Sequence, residues 1–328
     1  MSKYYVLYHR LDRNDSSRSK ADGVSKFLPN DELIFKDVLE INDYQSFFDN
    51  LEDEDGIIVT GGDGSLHKFI NRTNGINHNH HIYYFPTGTG NDFYKDIGGK
   101  KNQGPVVIDQ YLRFLPTVTV NGKSYKYINN VSFGIDGYCT AAADDLRAKG
   151  KKVNYTTIAI DGLLAKYKPC DAIIEIDGVK QHYKKVWLAS TMNGRYLGGG
   201  MMAAPGQNRL NKAHFRSVLL YYNKGRLHSL LNFPKIFKGK HVGKPSLAQL
   251  LPGRSIHVIF SEPRAIQIDG ETIRDVTEYT VRVWIFITKK AMTYAIALYY
   301  LLYFVIIAIA HGILPSISWN SISLYPNS

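Results

Sequence analysis

Two consecutive strand, glycine-loop and helix units place the tightest constraint on this chain. The apolar run at residues 57–60 leads into Gly61-Gly62-Asp63-Gly64-Ser65, and the apolar residues that follow lie on one face of a helix. The run at residues 82–85 leads in the same way into Pro86-Thr87-Gly88-Thr89-Gly90-Asn91-Asp92. This rhythm is typical of βα units and a parallel sheet, so we expect a Rossmann-like first domain over residues 1–115.

Glycine loops that open helices are suited to binding phosphate. Glycine lets the backbone turn sharply and approach a ligand closely, and a helix N-terminus offers N–H groups to phosphate oxygens. We therefore predict nucleotide contacts from Gly61, Gly62, Asp63, Gly64, Ser65, Thr89 and Asn91, with Ser65 as the helix N-cap. Neither loop matches GxxxxGK[ST] or GxGxxG, which excludes a P-loop and a standard dinucleotide-binding site.

Asp63 is the single acid inside the first loop. An acid beside bound phosphates is explained if Mg²⁺ bridges it to a nucleotide, or if it accepts a proton from an attacking hydroxyl. The alternative is a tight turn in which the aspartate serves only turn geometry. No set of metal ligands is assigned from the sequence.

A third candidate feature is Asp269-Gly270-Glu271. Ile-Asp-Gly occurs at residues 135–137, 160–162, 176–178 and 268–270, and an acid follows only the last of these. Most of the four must be ordinary turns. Asp269 and Glu271 are therefore candidates for a catalytic carboxylate pair, with an ordinary surface turn as the alternative.

The pattern changes twice along the chain. Residues 116–288 show short alternating apolar runs punctuated by Asn-Gly and Asp-Gly turns, which predicts an antiparallel β domain. Residues 291–314 contain no Asp, Glu, Lys or Arg, and as a helix they would extend about 36 Å, enough for a bilayer core. We predict a transmembrane helix there, with a buried C-terminal helix as the alternative. Lys289 and Lys290 favour a cytosolic position for the preceding domains.

Net charge indicates which partners the protein could bind, and cysteine content indicates its compartment. The net charge of +11 favours phosphates or an anionic membrane surface, and tyrosines in β runs suit packing better than base stacking, so no nucleic acid is expected. Cys139 and Cys170 form no CxxC or Cys/His spacing, which is typical of a reducing cytosol. The first residues predict a strand and not a signal peptide.

Taken together, these motifs resemble the diacylglycerol kinase catalytic family, which includes bacterial lipid kinases and sphingosine kinases. The resemblance extends to residues 193–201 and to Ala204-Pro205, a glycine-rich stretch between strands. It implies a Rossmann-like N-terminal domain and a β-sandwich C-terminal domain, with ATP and Mg²⁺ between them and the γ-phosphate passing to a lipid hydroxyl. Diacylglycerol is the first candidate substrate, and the partners implied are a membrane lipid and an anionic membrane surface, with a homodimer left open.

The resemblance also implies roles for the acids. Glu271 would be the proton acceptor or its close partner, and Asp63 is the rival for that role. Two departures from the family stand out. Residues 8–14 replace the usual Asn-Pro loop after the first strand, and residues 207–212 replace the Asp-Asp-Gly associated with a structural Mg²⁺, which implies that this metal site is missing or rebuilt.

Two other functions fit parts of the pattern. One is a kinase for a soluble substrate that shares the Gly-Gly-Asp-Gly loop, such as an NAD kinase relative. The other is a membrane-anchored nucleotide-binding or lipid-binding protein without catalysis. The β-rich second half and the apolar tail favour a lipid substrate, and retention of Asp63, Asp269 and Glu271 favours catalysis.

Overall fold

The computed structural model describes residues 2–10, 16–88, 90–211 and 215–283, together with Tyr299 and Tyr303. The chain divides into two compact units, Met1–Trp284 and Ile285–Ser328. The membrane helix predicted at residues 291–314 lies outside the described residues, apart from those two tyrosines. Within the described part of the chain, no helix has the length and apolar character needed to cross a bilayer.

The first lobe is built on a five-stranded sheet within the described residues, with the strand order β2-β1-β3-β4-β5. The first four strands are parallel to one another, as predicted, while β5 runs antiparallel to β4. The strands are β1 (Lys3–Tyr8), β2 (Glu32–Asp37), β3 (Gly56–Gly61), β4 (Ile82–Pro86) and β5 (Val106–Val107). The helices are α1 (Ser17–Ala21), α2 (Tyr44–Asp49), α3 (Asp63–Arg72), α4 (Asp92–Asp96) and α5 (Asp109–Leu112), with 3₁₀ turns at Asp22–Lys26 and Val38–Glu40.

The central strand β3 shows why this lobe folds as it does. On one face of the sheet, Ile57 and Val59 pack with residues of α3 such as Leu66. On the other face, Ile58 packs with Ala21 of α1 and with Val24. A continuous apolar run suits a parallel strand covered on both faces. Helices therefore flank the sheet, and the loops that follow β3 and β4 open at one sheet edge.

The start of α3 differs from the prediction. Gly62 is the N-cap and the helix begins at Asp63, so the prediction of Ser65 as N-cap was wrong. The reason is the backbone of Gly61, whose φ of 136° turns the chain before the helix. A side chain at Gly61 would also meet Ser65 Oγ, so glycine allows the tight start.

The second lobe is β-rich, and its main sheet has nine strands within the described residues. Its strands are β6 (Thr117–Val120), β7 (Lys123–Lys126), β8 (Asn130–Gly134), β9 (Cys170–Ile176), β10 (Val179–Met192), β13 (Arg216–Tyr222), β14 (Gln249–Gly253), β15 (Ser255–Ile268) and β16 (Glu271–Arg282). A short separate pair consists of β11 (Tyr196–Leu197) and β12 (Met201–Met202). The helices are α6 (Ile135–Ala148), α7 (Tyr155–Asp161) and α8 (Arg226–Phe237), with a π-helical turn at Gly162–Lys166.

Two long strands shape this lobe. β10 and β15 each pair with β9 along one half and with β8 along the other, all antiparallel, so these four strands close around a common core. Phe133 stacks on Phe260 inside that core, with ring centroids 3.6 Å apart. The helices α6 and α8 and the π-helical turn cover another core, which includes Trp187, Leu219 and Tyr221. The antiparallel architecture agrees with the alternating pattern of the sequence.

Candidate active site

The two glycine loops contact each other where their strands end. In the pairing of β3 with β4, Gly61 lies opposite Pro86, and the amide of Thr87 donates a 2.9 Å hydrogen bond to the Gly61 carbonyl. A Cβ added to Gly88 would lie 2.6 Å from Gly62 Cα, so the backbones are in direct contact. The two predicted phosphate-binding loops thus form one continuous surface. Thr89, also predicted as a nucleotide contact, lies outside the described residues.

Asp63 joins the two loops. Its carboxylate accepts hydrogen bonds from the amides of Asp92 (2.7 Å) and Phe93 (3.2 Å), the first residues of α4. A carboxylate at a helix N-terminus stabilises the helix and orients the chain before it. Burial raises the pKa of Asp63, against the effect of these two amides. Asp63 therefore holds the second loop in place.

Asn91 and Asp92 shape the second loop from inside. Asn91 has a φ of 36°, in the left-handed region, and its side-chain amide donates a 2.6 Å hydrogen bond to the Gly88 carbonyl. Asp92 Oδ2 accepts a 2.9 Å hydrogen bond from the amide of Gly199, in the glycine-rich stretch of the second lobe. Burial raises the pKa of Asp92 to about 7. Through the hydrogen bonds of Asp63 and Gly199 to Asp92, the second loop is connected to both lobes.

Asp269 connects the lobes from the opposite direction. Its buried carboxylate accepts hydrogen bonds from the amides of Ile128 (2.7 Å), Asn129 (2.7 Å) and Asn130 (3.1 Å). Its Oδ2 also lies 3.0 Å from Nδ1 of His67, on α3 of the first lobe. With both oxygens engaged, Asp269 fixes the position of the turn at the lobe junction.

Glu271 is the predicted site acid whose carboxylate stays accessible. Its side chain is 44% exposed and pairs with Lys68 Nζ at 3.2 Å. A Cβ added to Gly64, in the first turn of α3, would lie 3.4 Å from Glu271 Oε1. The second lobe therefore places an accessible carboxylate oxygen, the one that pairs with Lys68, beside the first turn of α3.

A small cleft next to this loop carries positive charge. It lies between β1, β3 and α3, and the polar residues that line it are His9, Thr60, Ser65, Lys68 and Arg72. Lys68, in the second turn of α3, adds to the attraction of the helix N-terminus for anions, while Arg72 lies at the other end of the helix. This cleft and the two loops form a surface that suits a polyphosphate.

An ion cluster forms around Asp96, in which Asp96 and Arg209 are buried. Asp96, on α4, accepts hydrogen bonds from Arg195 (Nε to Oδ1, 2.6 Å) and from Arg209. Arg209 also donates to Asn129 Oδ1 at 2.7 Å and to the Ile128 carbonyl. It belongs to the segment that departs from the family's Asp-Asp-Gly, so here a guanidinium joins α4 to the second lobe.

Sequence reasoning missed several members of this site. Asp92 was seen only as part of a motif, Lys68 and His67 were not considered, and Asp96 was passed over. Lys68 offered one usable signal, since it lies about one helical turn after the glycine loop on the helix that the loop opens. The others could not be found from the sequence, because their contacts are with residues of the other lobe.

The acids of the site bear on metal binding. Among the described residues, no group of three or more His, Cys, Asp or Glu side chains has the arrangement of a metal site. Asp92 Oδ1 is nevertheless buried and lacks a hydrogen-bond partner within the described part of the chain. A single hard oxygen of this kind is compatible with Mg²⁺, which binds through one or two carboxylates together with substrate phosphates.

Comparison with known proteins agrees with this geometry. Residues 3–115 match the model of the diacylglycerol kinase catalytic domain, and residues 129–284 match the YegS C-terminal NAD kinase beta sandwich-like domain. The diacylglycerol kinase of Mycobacterium tuberculosis is 26% identical over 195 residues, which are 57% of this chain and 62% of that protein. The diacylglycerol kinase of Bacillus subtilis is 25% identical over 229 residues, 67% of this chain and 72% of that protein.

Solved structures show the same fold. A diacylglycerol kinase from Bacillus anthracis str. Sterne aligns with a TM-score of 0.54 at 17% identity, covering 86% of this chain and 93% of that one. Another structure from that organism reaches a TM-score of 0.60 at 18% identity, covering 86% of this chain and 94% of that one. The chain spans only about three fifths of the length of the Mycobacterium relative. With both domain models matched in order, this chain belongs to the diacylglycerol kinase catalytic-domain family.

Proposed function

We propose that this protein is an ATP-dependent kinase that transfers the γ-phosphate to the hydroxyl of a membrane lipid, with diacylglycerol as the first candidate. The observation that carries the proposal is the position of Glu271, an accessible acid of the second lobe, beside Gly64 at the N-terminus of α3. Phosphoryl transfer needs an anion-binding surface and a carboxylate that orients the attacking hydroxyl, and both meet here.

The triphosphate would bind along the two glycine loops. The first turn of α3 presents N–H groups, and Lys68 adds positive charge about one turn further along the helix. The contact between Gly62 and Gly88 sets the shape of this surface, because a Cβ at Gly88 would lie only 2.6 Å from Gly62 Cα. The nucleotide is thus positioned mainly by backbone groups.

Mg²⁺ would be held by Asp92, with Asp63 beside it. The buried, unpartnered Oδ1 of Asp92 supports this assignment among the described residues. A bound Mg²⁺ would neutralise the charge that develops on the transferring phosphoryl group. Asp63 would act chiefly by fixing the amides of Asp92 and Phe93.

Glu271 would then accept or orient the proton of the lipid hydroxyl. The oxygens of Asp63 and Asp269 are engaged by backbone amides, whereas Glu271 makes a half-exposed ion pair that a substrate could displace. As the hydroxyl oxygen bonds to the γ-phosphorus, its proton passes to Glu271 and ADP leaves. Asp269 would position this acid by fixing the turn that precedes it.

A lipid substrate requires the lobes to work at a bilayer. The apolar segment at residues 291–314 would anchor the protein there as a transmembrane helix, with the two lobes on the cytosolic side. The net charge of the whole chain, +11, would favour binding to an anionic membrane surface. Liposome flotation of the full chain and of a chain that ends at residue 290 tests the anchor: the full chain should float and the shorter one should float less.

Radiolabelled ATP supplied to a panel of lipids tests the proposal. Label in chloroform-soluble product is expected. Label in NADP would instead identify a kinase for a soluble substrate, and no labelled product would identify a binding protein. Gly88→Ala should reduce transfer at least about tenfold because its Cβ would collide with Gly62. Gly206→Ala is the matched control, since that position faces open space.

A further inference from the structure

Helix α8 has an unusual distribution of side chains. Leu227 and Leu231 are 70% and 64% exposed, whereas Ser229 and Asn232 on the opposite face are buried. Leu227, Leu231 and Pro234 have the i, i+4, i+7 spacing of a single stripe, and all three are exposed. Phe233 and Ile236 pack in the core, so α8 both covers a core and presents another apolar stripe outward.

A second apolar stripe lies next to the first. Ile160 on α7 and Leu164 in the π-helical turn are four residues apart and are 42% and 51% exposed. Arg226, the first residue of α8, donates hydrogen bonds to the carbonyls of Leu163 (2.9 Å) and Tyr167 (2.9 Å). We call Ile160, Leu164, Leu227 and Leu231 the apolar surface. It spans two elements that are bonded to each other.

The charges around the apolar surface are all of one sign on the α8 side. Between Asn223 and Pro252 the chain has six Lys or Arg residues and no Asp or Glu. Lys235, Lys238, Lys240 and Lys244 are exposed. A stretch that combines exposed apolar side chains with exposed lysines and no acid is typical of a segment that lies in the interface of an anionic bilayer.

The apolar surface is also connected to the candidate active site. After α8, Gly239 packs against Met202 and Pro205, and His241 lies 2.8 Å from the Ala203 carbonyl. The same stretch contains Gly199, whose amide bonds to Asp92 in the second glycine loop. The segment that follows α8 is therefore linked through residues 199–205 to the second glycine loop.

We propose that the apolar surface docks on an anionic lipid bilayer, with Leu227 and Leu231 inserted between headgroups and the surrounding lysines on the phosphates. This deepens the proposed function and rests on it, because a lipid kinase must reach a substrate in a membrane. A second copy of this chain, with a charge of +11, would not complement the lysines. Neither would the apolar segment at residues 291–314, which lacks acidic residues.

A fluorescent probe on the full chain tests docking separately from anchoring by the tail. Cys139 and Cys170 are buried, so Leu231→Cys can be labelled selectively with an environment-sensitive nitrobenzoxadiazole group. Val179→Cys is the matched control, because Val179 is a 74% exposed apolar residue at the turn between β9 and β10. Vesicles are phosphatidylcholine alone or phosphatidylcholine with phosphatidylglycerol.

With phosphatidylglycerol vesicles, we expect the emission at position 231 to rise about twofold or more and to shift to the blue, while position 179 stays unchanged. Replacing Lys235 and Lys238 by Gln in the Leu231→Cys chain should reduce that response. Three results would each overturn the proposal: no response at position 231, an equal response to neutral vesicles, or a probe already shielded without vesicles. The last result would mean that protein, including the 291–314 segment, covers this surface.

Phosphate transfer measured in the same samples separates this proposal from the kinase assignment. Labelled lipid without a response at position 231 would contradict the docking proposal and would still support the kinase assignment. A response at position 231 without labelled product from any lipid would support docking at a membrane and sink the kinase.

Discussion

Two β-turns of the second lobe share a sequence and a backbone shape but differ in what surrounds them. Ile-Asp-Gly joins β9 to β10 at residues 176–178 and β15 to β16 at residues 268–270. Asp177 and Asp269 both have a φ of 49°, and the glycines that follow have φ values of 89° and 94°. Local sequence is enough to specify such a hairpin turn.

The surroundings separate the two turns. Asp177 is exposed and accepts hydrogen bonds from the amides of Arg254 (2.9 Å) and Ser255 (2.8 Å) within its own lobe. Asp269 is buried and reaches Ile128 and, in the first lobe, His67. Val179 follows the first turn and Glu271 follows the second. The same turn thus serves only the hairpin in one place and the lobe junction in the other.

The largest effect should come from the acid that distinguishes the second turn. Glu271→Gln keeps the side-chain shape but removes the proton acceptor, so kcat for lipid phosphorylation should fall by about 10²- to 10⁴-fold. Its stability should change little, since the ion pair with Lys68 is half exposed. Glu278→Gln, on the same strand, is the control and should keep normal kcat. A Glu271→Gln protein with wild-type kcat would remove Glu271 from the reaction.

The next effect concerns stability. Asp269→Asn places an amide NH₂ among backbone donors that now bond to a carboxylate, and we expect the free energy of unfolding to fall by about 2–4 kcal/mol. Urea denaturation monitored by tryptophan fluorescence measures this loss. Equal losses for Asp269→Asn and Asp177→Asn would contradict the contrast between the buried and the exposed turn.

A third prediction uses the buried acid of the second loop. The folded-state pKa of Asp92, about 7, exceeds its ordinary value of 3.8, so its contribution to stability is complete below pH 3.8 and is lost as the pH rises through about 7. The stability of wild type relative to Asp92→Asn should therefore decline across this window, by on the order of 1.4 kcal/mol per pKa unit. Urea denaturation at a series of pH values measures it, and a pH-independent difference would count against a buried Asp92.

The smallest effects should come from the first turn. Asp177→Asn should cost no more than about 1 kcal/mol, because Asn tolerates a positive φ and the lost hydrogen bonds are exposed to water. Val179→Glu reproduces the tripeptide Asp-Gly-Glu at this turn. It should leave kcat unchanged and should not rescue Glu271→Gln. Rescue would show that the tripeptide acts without its position at the lobe junction.

Much of the first lobe was predictable because its elements depend on local pattern. The apolar runs before the two glycine loops predicted adjacent parallel strands, and the structure pairs Gly61 with Pro86. The antiparallel pattern of the second lobe was equally readable. The start of α3 was misplaced by three residues, since the conformation of Gly61 cannot be inferred from its identity as glycine alone.

The site was only partly predictable for a physical reason. Asp63 was expected to face the phosphates, but its carboxylate bonds to the amides of Asp92 and Phe93. Which hydrogen bonds a buried carboxylate makes depends on donors brought near by folding, and the sequence separation between them was 29 and 30 residues. The roles of Glu271, Asp63 and Asp269 in catalysis remain predictions.

The sequence by itself determined the strand, loop and helix units, the turn chemistry of Asp269-Gly270 and the family to which the motifs belong. Only the tertiary structure decided which acid stays accessible, because burial and hydrogen bonding depend on groups distant in sequence. It also decided that Arg209 joins Asp96 to the second lobe. Local preferences act over a few residues, whereas the electrostatics of a site depend on everything that packs around it.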